Sequence, residues 1–188
     1  MNDTGKAVRV IRLVMILAVA VELDAADGSR KLVISIPDRK IALIEDGRVV
    51  KVYPVAVGAG STPSPKGSFH ISSRLLHPTW YQPGKVVPPG PANPLGTRWM
   101  GLGYKGYGIH GTNMPLSIGK AASHGCIRMR NRDVEELYAL VQIGDPVELV
   151  TEVSPDLVEA FSGKPSAPVP HVEAPVATAA VASDGGVQ

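Results

Sequence analysis

Short apolar runs separated by turn signals dominate the middle of the chain. KLVISI (31–36) and GSFHISS (67–73) have strand composition, and KIALIEDGRVVKVYPVAVG (40–58) contains two such runs around Asp46-Gly47. Asp-Gly between two β-prone runs predicts a hairpin, because a type I′ turn needs positive φ at both central residues. Further strands are predicted at 97–103, 106–111 and 146–153.

One segment has the period of a helix. In residues 131–145 the apolar side chains repeat at i, i+3, i+4 and i+7, at Val134, Leu137, Tyr138 and Val141. Asn131 is the expected N-cap, and Gly144 suits the position just past the end. Many strands and one helix favour a mainly β domain, a β-sandwich or barrel-like fold with a helix packed on it.

The segment from His77 to Gly96 contains six prolines, so no regular element is expected there. A structureless insertion longer than about fifteen residues inside a compact domain is usually functional. We therefore expect a Pro-rich lid over residues 78–94.

The two ends of the chain differ from this domain. Three basic residues precede the apolar run 13–21, which is about half of the roughly twenty residues that span a bilayer. Residues 1–26 are predicted to be a signal peptide, with a buried N-terminal strand as the alternative. Residues 154–188 are predicted to be a flexible Pro/Ala-rich tail. The domain then spans 30–153, in an exported protein of the periplasm or cell wall.

Composition narrows the class of function. The 188 residues are 44% hydrophobic and 19% charged, so a sizeable core is possible. A net charge of +2 without a Lys/Arg cluster gives no support for nucleic-acid binding. The single cysteine excludes an internal disulfide, and in an exported protein an unpaired thiol is a candidate for reactivity.

That cysteine lies in GIHGTNMPLSIGKAASHGCIRM, residues 108–129, together with two histidines. A thiol attacks carbonyls as thiolate, and a nearby imidazole can remove its proton. If residues 124–128 are extended, His124, Cys126 and Arg128 point to one side. His110 ends a predicted strand and can approach from a neighbouring loop.

Two alternatives for these residues remain open. A lone cysteine is most often a small buried hydrophobe. His110, His124 and Cys126 could also be three zinc ligands with an open fourth position.

IHGTN followed by SHGCIRM closely resembles the signature of the L,D-transpeptidase catalytic domain, or YkuD domain. The resemblance continues in VYPVAVGAGSTPSPKGSFHI, WMGLGYKGYGIHGT and GDPVELV, and covers roughly residues 31–150. It implies a β-sandwich with the cysteine under a lid. It also implies Cys126 as nucleophile and His110 as proton donor and acceptor, with His124 as the runner-up base.

Other residues match the substrate-binding part of that motif. The Gly111 carbonyl matches the group that orients the imidazole. The N–H groups of Gly125 and Cys126 are candidates for an oxyanion hole, and Arg128 fits a substrate carboxylate. The predicted substrate-binding set is Gly111, Thr112, Ser123, Gly125 and Arg128.

The resemblance implies acyl transfer from a peptidoglycan tetrapeptide stem, with release of the terminal D-alanine. The acceptor would be an amine of a second stem, a lipoprotein lysine or a free D-amino acid. Water as acceptor would make the protein an L,D-carboxypeptidase, and a non-catalytic wall-binding module is the alternative of another class. No metal or organic cofactor is expected, and carbapenem-type compounds are the expected inhibitors.

Overall fold

The structure, a computed structural model, describes residues 29–104 and 106–162. Its strands are β1 (Arg30–Ser35), β2 (Lys40–Glu45), β3 (Arg48–Pro54), β4 (Val57–Gly58), β5 (Gly67–His70), β6 (Ser73–Leu76), β7 (Trp80–Gln82), β8 (Lys85–Val87), β9 (Arg98–Gly101), β10 (Gly108–His110), β11 (Ala121–Ser123), β12 (Ile127–Arg128) and β13 (Pro146–Val150). The helices are α1 (Asn131–Leu140), α2 (Pro155–Phe161) and a 3₁₀ turn at Pro115–Ser117. The predicted signal peptide lies outside the described residues. Within them, no helix is long and apolar enough to cross a bilayer.

Two sheets enclose the main core. One has five strands in the order β3-β2-β1-β13-β5, and the other has four in the order β12-β10-β9-β6. The helix α1 packs against β9 and β10. The buried side chains between these layers include Leu32, Ile34, Ile41, Leu43, Met100, Ile109, Ile127, Val134, Leu137 and Leu149. The predicted mainly β sandwich with a packed helix is therefore confirmed.

The expected hairpin is also present. β2 and β3 pair antiparallel on either side of Asp46 and Gly47. Both turn residues have positive φ, 51° and 72°. This is the backbone that the Asp-Gly signal predicts.

A second helix was not expected, because residues from 154 onward have the composition of a tail. Instead, α2 covers the outer face of the five-stranded sheet, where Phe161 packs with Val33, Ala42 and Ile44. The Ser154 carbonyl oxygen accepts the first helical hydrogen bonds, and Pro155 occupies the first position of the helix. The tail prediction is thus wrong for residues 155–161, and residues 163–188 lie outside the described part.

The predicted caps of α1 are wrong in detail. Arg130 is the N-cap, while Asn131 is the first helical residue and makes no capping hydrogen bond. The helix ends before Val141. Gly144, with φ of 99°, belongs to the following turn into β13.

The Pro-rich segment contains regular structure, contrary to expectation. β7 and β8 form a short antiparallel hairpin within it. The prolines flank these two strands instead of occupying them, so they interrupt no ladder hydrogen bond.

Candidate active site

Two of the predicted site residues, His110 and Arg128, lie on the four-stranded sheet. His110 in β10 is in register with Trp99 of β9 and Arg128 of β12. Their neighbours in register, Ile109 and Ile127, face the core. Because side chains alternate along a strand, His110, Trp99 and Arg128 share the opposite face. The ring of Trp99 stacks on the imidazole with a centroid distance of 5.7 Å and an interplanar angle of 24°.

The imidazole of His110 is held in one tautomer. Its Nδ1 lies 2.6 Å from the Gly111 carbonyl oxygen. A carbonyl only accepts, so Nδ1 carries the proton and Nε2 keeps a free lone pair. Burial lowers the pKa of His110 to about 4, which outweighs the backbone hydrogen bonds to Gly111 and Leu95, and the Arg128 charge lowers it further. The ring is therefore a neutral base near pH 7.

Cys126 lies in a bend, not in a continuous strand. Residues 124–126 separate β11 from β12, and Gly125 has a φ of 108°. The expected extended run, with His124, Cys126 and Arg128 on one side, is therefore wrong. A side chain at Gly125 would also collide with the ring of Tyr107, so glycine is required at this point.

Ser123 holds this bend together. Its hydroxyl donates to the Cys126 carbonyl at 2.6 Å and accepts the Gly125 N–H at 3.0 Å. Its side chain is 2% exposed, so it fixes the backbone of the bend from inside. The Gly125 N–H is thereby occupied, so of the two N–H groups predicted to bind an oxyanion only that of Cys126 is available to a ligand. In the described part of the chain the Cys126 N–H has no acceptor.

The Cys126 thiol is protonated in this arrangement. Sγ donates to the Gly106 carbonyl oxygen at 3.3 Å. Burial raises the pKa of Cys126, and this outweighs the lowering by the Gly108 backbone and by the charge of Arg128. The thiol and the imidazole are therefore both neutral before any substrate binds.

Two cavities share part of their lining, and Cys126 borders one of them. One, of about 320 Å³, is lined by Cys126 and by apolar side chains including Leu75, Trp80 and Tyr81. The other, of about 430 Å³, is lined largely by the backbone and side chains of residues 101–104 and by Tyr107. Trp99 and Gly106 border both cavities.

The remaining predicted residues differ in their exposure and in their hydrogen-bond and ion-pair partners. Arg128 is half-buried, and none of the described carboxylates forms an ion pair with it. His124 is exposed. Thr112 is buried, and its hydroxyl accepts the Met114 N–H at 3.0 Å. The three ligands of the zinc alternative do not form a metal-binding group among the described residues.

Sequence reasoning missed Trp99, which borders both cavities and covers the imidazole. Its sequence signal was its place in TRWMGLG, directly before the strand that ends in His110. Consecutive strands joined by a short connection usually pair, so the sequence could have predicted that Trp99 lies beside His110.

The sequence profile of YkuD, the L,D-transpeptidase catalytic domain, matches residues 29–149. The chain belongs to the YkuD family. YkuD of Bacillus licheniformis, which is named as an L,D-transpeptidase, is 44% identical over 119 residues, which are 63% of this chain and 64% of that protein. The chain thus spans less than two thirds of the length of this relative.

Solved structures of L,D-transpeptidases share the fold. An enzyme from Mycobacterium smegmatis superposes with a TM-score of 0.56 at 21% identity, covering 65% of this chain and 59% of that chain. LdtMt1 in complex with imipenem superposes with a TM-score of 0.55 at 24% identity, with the same two coverages. The β-sandwich described above is therefore the YkuD-type fold.

Proposed function

We propose that this protein is a peptidoglycan L,D-transpeptidase in which Cys126 is the nucleophile and His110 carries the proton. The observation that carries this proposal is the state of His110. Its Nδ1 is hydrogen-bonded to the Gly111 carbonyl, so Nε2 can accept a proton. His110 lies on β10, which pairs with β12, and β12 begins directly after Cys126. Cys126 itself lines an open cavity. A protonated thiol needs such a base.

The first half-reaction removes the last residue of a tetrapeptide stem. Sγ of Cys126 forms a bond to the carbonyl carbon of the third residue, and the thiol proton passes to Nε2 of His110. The Cys126 N–H donates to the resulting oxyanion. The bond to the terminal D-alanine then breaks, its nitrogen takes the proton from Nε2, and a thioester remains on Cys126.

The second half-reaction transfers the acyl group to an amine. The amine nitrogen bonds to the thioester carbon, the carbon–sulfur bond breaks, and His110 passes the amine proton to Sγ. A second stem, a lipoprotein lysine or a free D-amino acid would supply the amine. The two cavities, which share Trp99 and Gly106 in their linings, support a reaction between two peptide substrates.

The other predicted residues have supporting roles in this proposal. Arg128 attracts a substrate carboxylate, which its lack of an ion-pair partner among the described residues supports. Ser123 and Gly125 shape the bend that carries the nucleophile, and Gly111 orients the imidazole. Thr112 acts on the loop after His110 through its bond to Met114. His124, being exposed, is a secondary contact for substrate.

The cellular setting follows from the same proposal. Residues 1–26 would direct export, and the enzyme would act in the periplasm or cell wall, where its substrate is found. Residues 78–94 would form a lid that limits water and so favours the amine over hydrolysis. Carbapenem-type compounds would acylate Cys126, as expected for a family in which LdtMt1 has been solved with imipenem.

The test uses muropeptide tetrapeptides and the purified protein. We expect release of D-alanine and formation of cross-linked dimers, both followed by mass spectrometry. Cys126→Ala and His110→Gln should each abolish both products, because one lacks the nucleophile and the other lacks the base. His124→Gln is the matched control for the second histidine and should retain most of the rate.

The other outcomes separate the alternatives. Release of D-alanine without any dimer, with several amines offered, would indicate a carboxypeptidase. Saturable binding without release would indicate a wall-binding module. A carbapenem should add its mass once per chain, at Cys126, and full activity in the Cys126→Ala variant would refute the assignment of the nucleophile.

A further inference from the structure

The peptide unit between Gly111 and Thr112 makes two hydrogen bonds in opposite directions. Its carbonyl oxygen accepts from Nδ1 of His110 at 2.6 Å. Its N–H donates to Oδ1 of Asn131 at 3.0 Å. A peptide unit is planar and rigid, so fixing the direction of the N–H also fixes the direction of the carbonyl. Asn131 and His110 are therefore linked through a single rigid group.

Asn131 is itself firmly seated. It is the first residue of α1, whose side chains Val134 and Leu137 are fully buried in the core. Its Oδ1 fits against Gly96 and Gly111, and a Cβ added to either glycine would collide with it. The amide thus occupies a slot that exists because both neighbours lack side chains.

The side chain of Asn131 is also not used for its own helix. Asparagine at a helix start usually accepts a hydrogen bond from the N–H groups of the first turn. Here the cap is Arg130, and no side chain caps α1. Asn131 instead reaches to the loop that follows β10.

We propose that Asn131 is a positioning residue that holds the His110 imidazole in its reactive tautomer through the Gly111–Thr112 peptide. Accepting the N–H of this peptide aims its carbonyl at Nδ1 and strengthens that carbonyl as an acceptor, because hydrogen bonds in a chain polarise one another. A fixed Nδ1–H leaves Nε2 free for the thiol proton. The kinetic part of this inference rests on the proposed function, and the structural part does not.

The experiment compares variants of the full chain. Asn131→Ala removes the acceptor, and Asn131→Leu fills a similar volume without one. Asn131→Asp keeps an acceptor oxygen in place. Arg132→Ala changes the next residue, whose side chain is 82% exposed, and serves as the control. Circular dichroism and thermal unfolding first establish that each variant is folded.

The first readout needs no substrate. In the parent protein, labelled with ¹⁵N-histidine, we expect a slowly exchanging Nδ1–H proton and a single tautomer of His110. The Asn131→Ala and Asn131→Leu variants should lose that proton signal and populate both tautomers, while Asn131→Asp and the Arg132→Ala control should keep it. An unchanged signal in the folded Ala and Leu variants would overturn the proposal.

The second readout is acyl transfer. We expect kcat to fall by about 10- to 100-fold in the Ala and Leu variants, the size seen when partners that orient metal-bound histidines are removed. KM should change little, and the Asp variant should restore kcat. A parent protein that releases no D-alanine would refute the proposed function and leave the NMR result to decide the role of Asn131. A fall confined to KM would contradict positioning.

Discussion

At the scale of single residues, burial sets the chemistry of the proposed catalytic pair. It lowers the pKa of His110 to about 4 and raises that of Cys126. A preformed thiolate–imidazolium pair is therefore disfavoured, although a cysteine and a histidine in one motif would also be compatible with one. The proton has to move when the thiol attacks, which makes the orientation of Nε2 decisive.

The burial of His110 predicts a pH-dependent stability. Its pKa is lowered in the folded state, so unfolding takes up a proton below the ordinary value of 6.5. Stability that is present above pH 6.5 should be lost as the pH falls toward 4, by up to about 3 kcal/mol. Chemical denaturation at pH 7 and pH 4 measures this loss.

The matched variants isolate the contribution of this one group. His110→Gln should lose less stability than the parent between the same two pH values, because it lacks the titrating ring. His124→Gln should follow the parent. Equal losses in the parent and in His110→Gln would contradict the buried neutral imidazole.

Some of the site residues could be predicted from the sequence, and some of their contacts could not. The motif gave the identity and proposed roles of Cys126 and His110 directly. It could not reveal that Ser123 occupies the Gly125 N–H, because that bond depends on the bend at 124–126. The link from Asn131 to Thr112 was hidden for a similar reason, since it joins a helix to a loop nineteen positions earlier.

At the scale of elements, one buried asparagine organises the Pro-rich segment. Asn93 is fully buried, and its amide donates to the carbonyl groups of Pro78, Val87 and Pro88 at 2.8–3.1 Å. Its Oδ1 accepts the Leu95 N–H at 2.8 Å. Prolines donate no backbone hydrogen bond, so this side chain supplies donors that the prolines of the segment cannot.

Replacement of Asn93 should loosen the segment more than the core. Asn93→Ala removes a buried hydrogen bond to Pro78 and three part-buried ones, and a buried group left without a partner costs about 1–3 kcal/mol. We expect faster hydrogen exchange in residues 78–96 and little change in the five-stranded sheet, measured by mass spectrometry. Asn113→Ala, which removes a single exposed bond to Ala92, is the control. Equal exchange in both variants would contradict the role of Asn93.

The helix α2 has a comparable role on the outer sheet face. Phe161 is 3% exposed and Val158 is 50% exposed on the same helix. Phe161→Ala should lower the free energy of unfolding by about 3 kcal/mol, because it opens a cavity over Val33 and Ala42. Val158→Ala should change it by less than about 0.5 kcal/mol. Denaturant titration measures both, and similar losses would contradict the docking of α2.

Of the two elements that were not predicted, α2 and the β7–β8 hairpin, the sequence contains a signal for the first only. β1 and β2 carry continuous apolar runs, LVI and IALI, which are typical of strands covered on both faces. That pattern predicts that another element packs on the outer face of the five-stranded sheet, and α2 is that element. The β7–β8 hairpin gave no such signal, because its strands are three residues long and lie between prolines.

At the scale of the whole molecule, the last strand closes the first sheet. β13 pairs in parallel with β1 and antiparallel with β5. It therefore pairs with a strand more than a hundred positions earlier in the chain, and Val147 and Leu149 complete the core. The count of strands and their composition predicted a sandwich, but period and propensity carry no information on which distant strands pair.

A chain that ends at Asp145 should therefore fail to fold. Without β13 the five-stranded sheet separates into β3-β2-β1 and an unpaired β5. We expect loss of near-ultraviolet circular dichroism and of carbapenem acylation relative to the full chain. A cooperative unfolding transition in the truncated protein would show that β13 is dispensable.

The neutral state of the thiol has a consequence for chemical survival. Peroxide and similar oxidants react with thiolate, and a half-buried thiol with a raised pKa presents very little of it. Between turnovers, Cys126 is therefore a poor target for oxidation, although the chain has no second cysteine to rescue it through a disulfide. The raised pKa that keeps this thiol protonated thus also protects the sulfhydryl on which the proposed reaction depends.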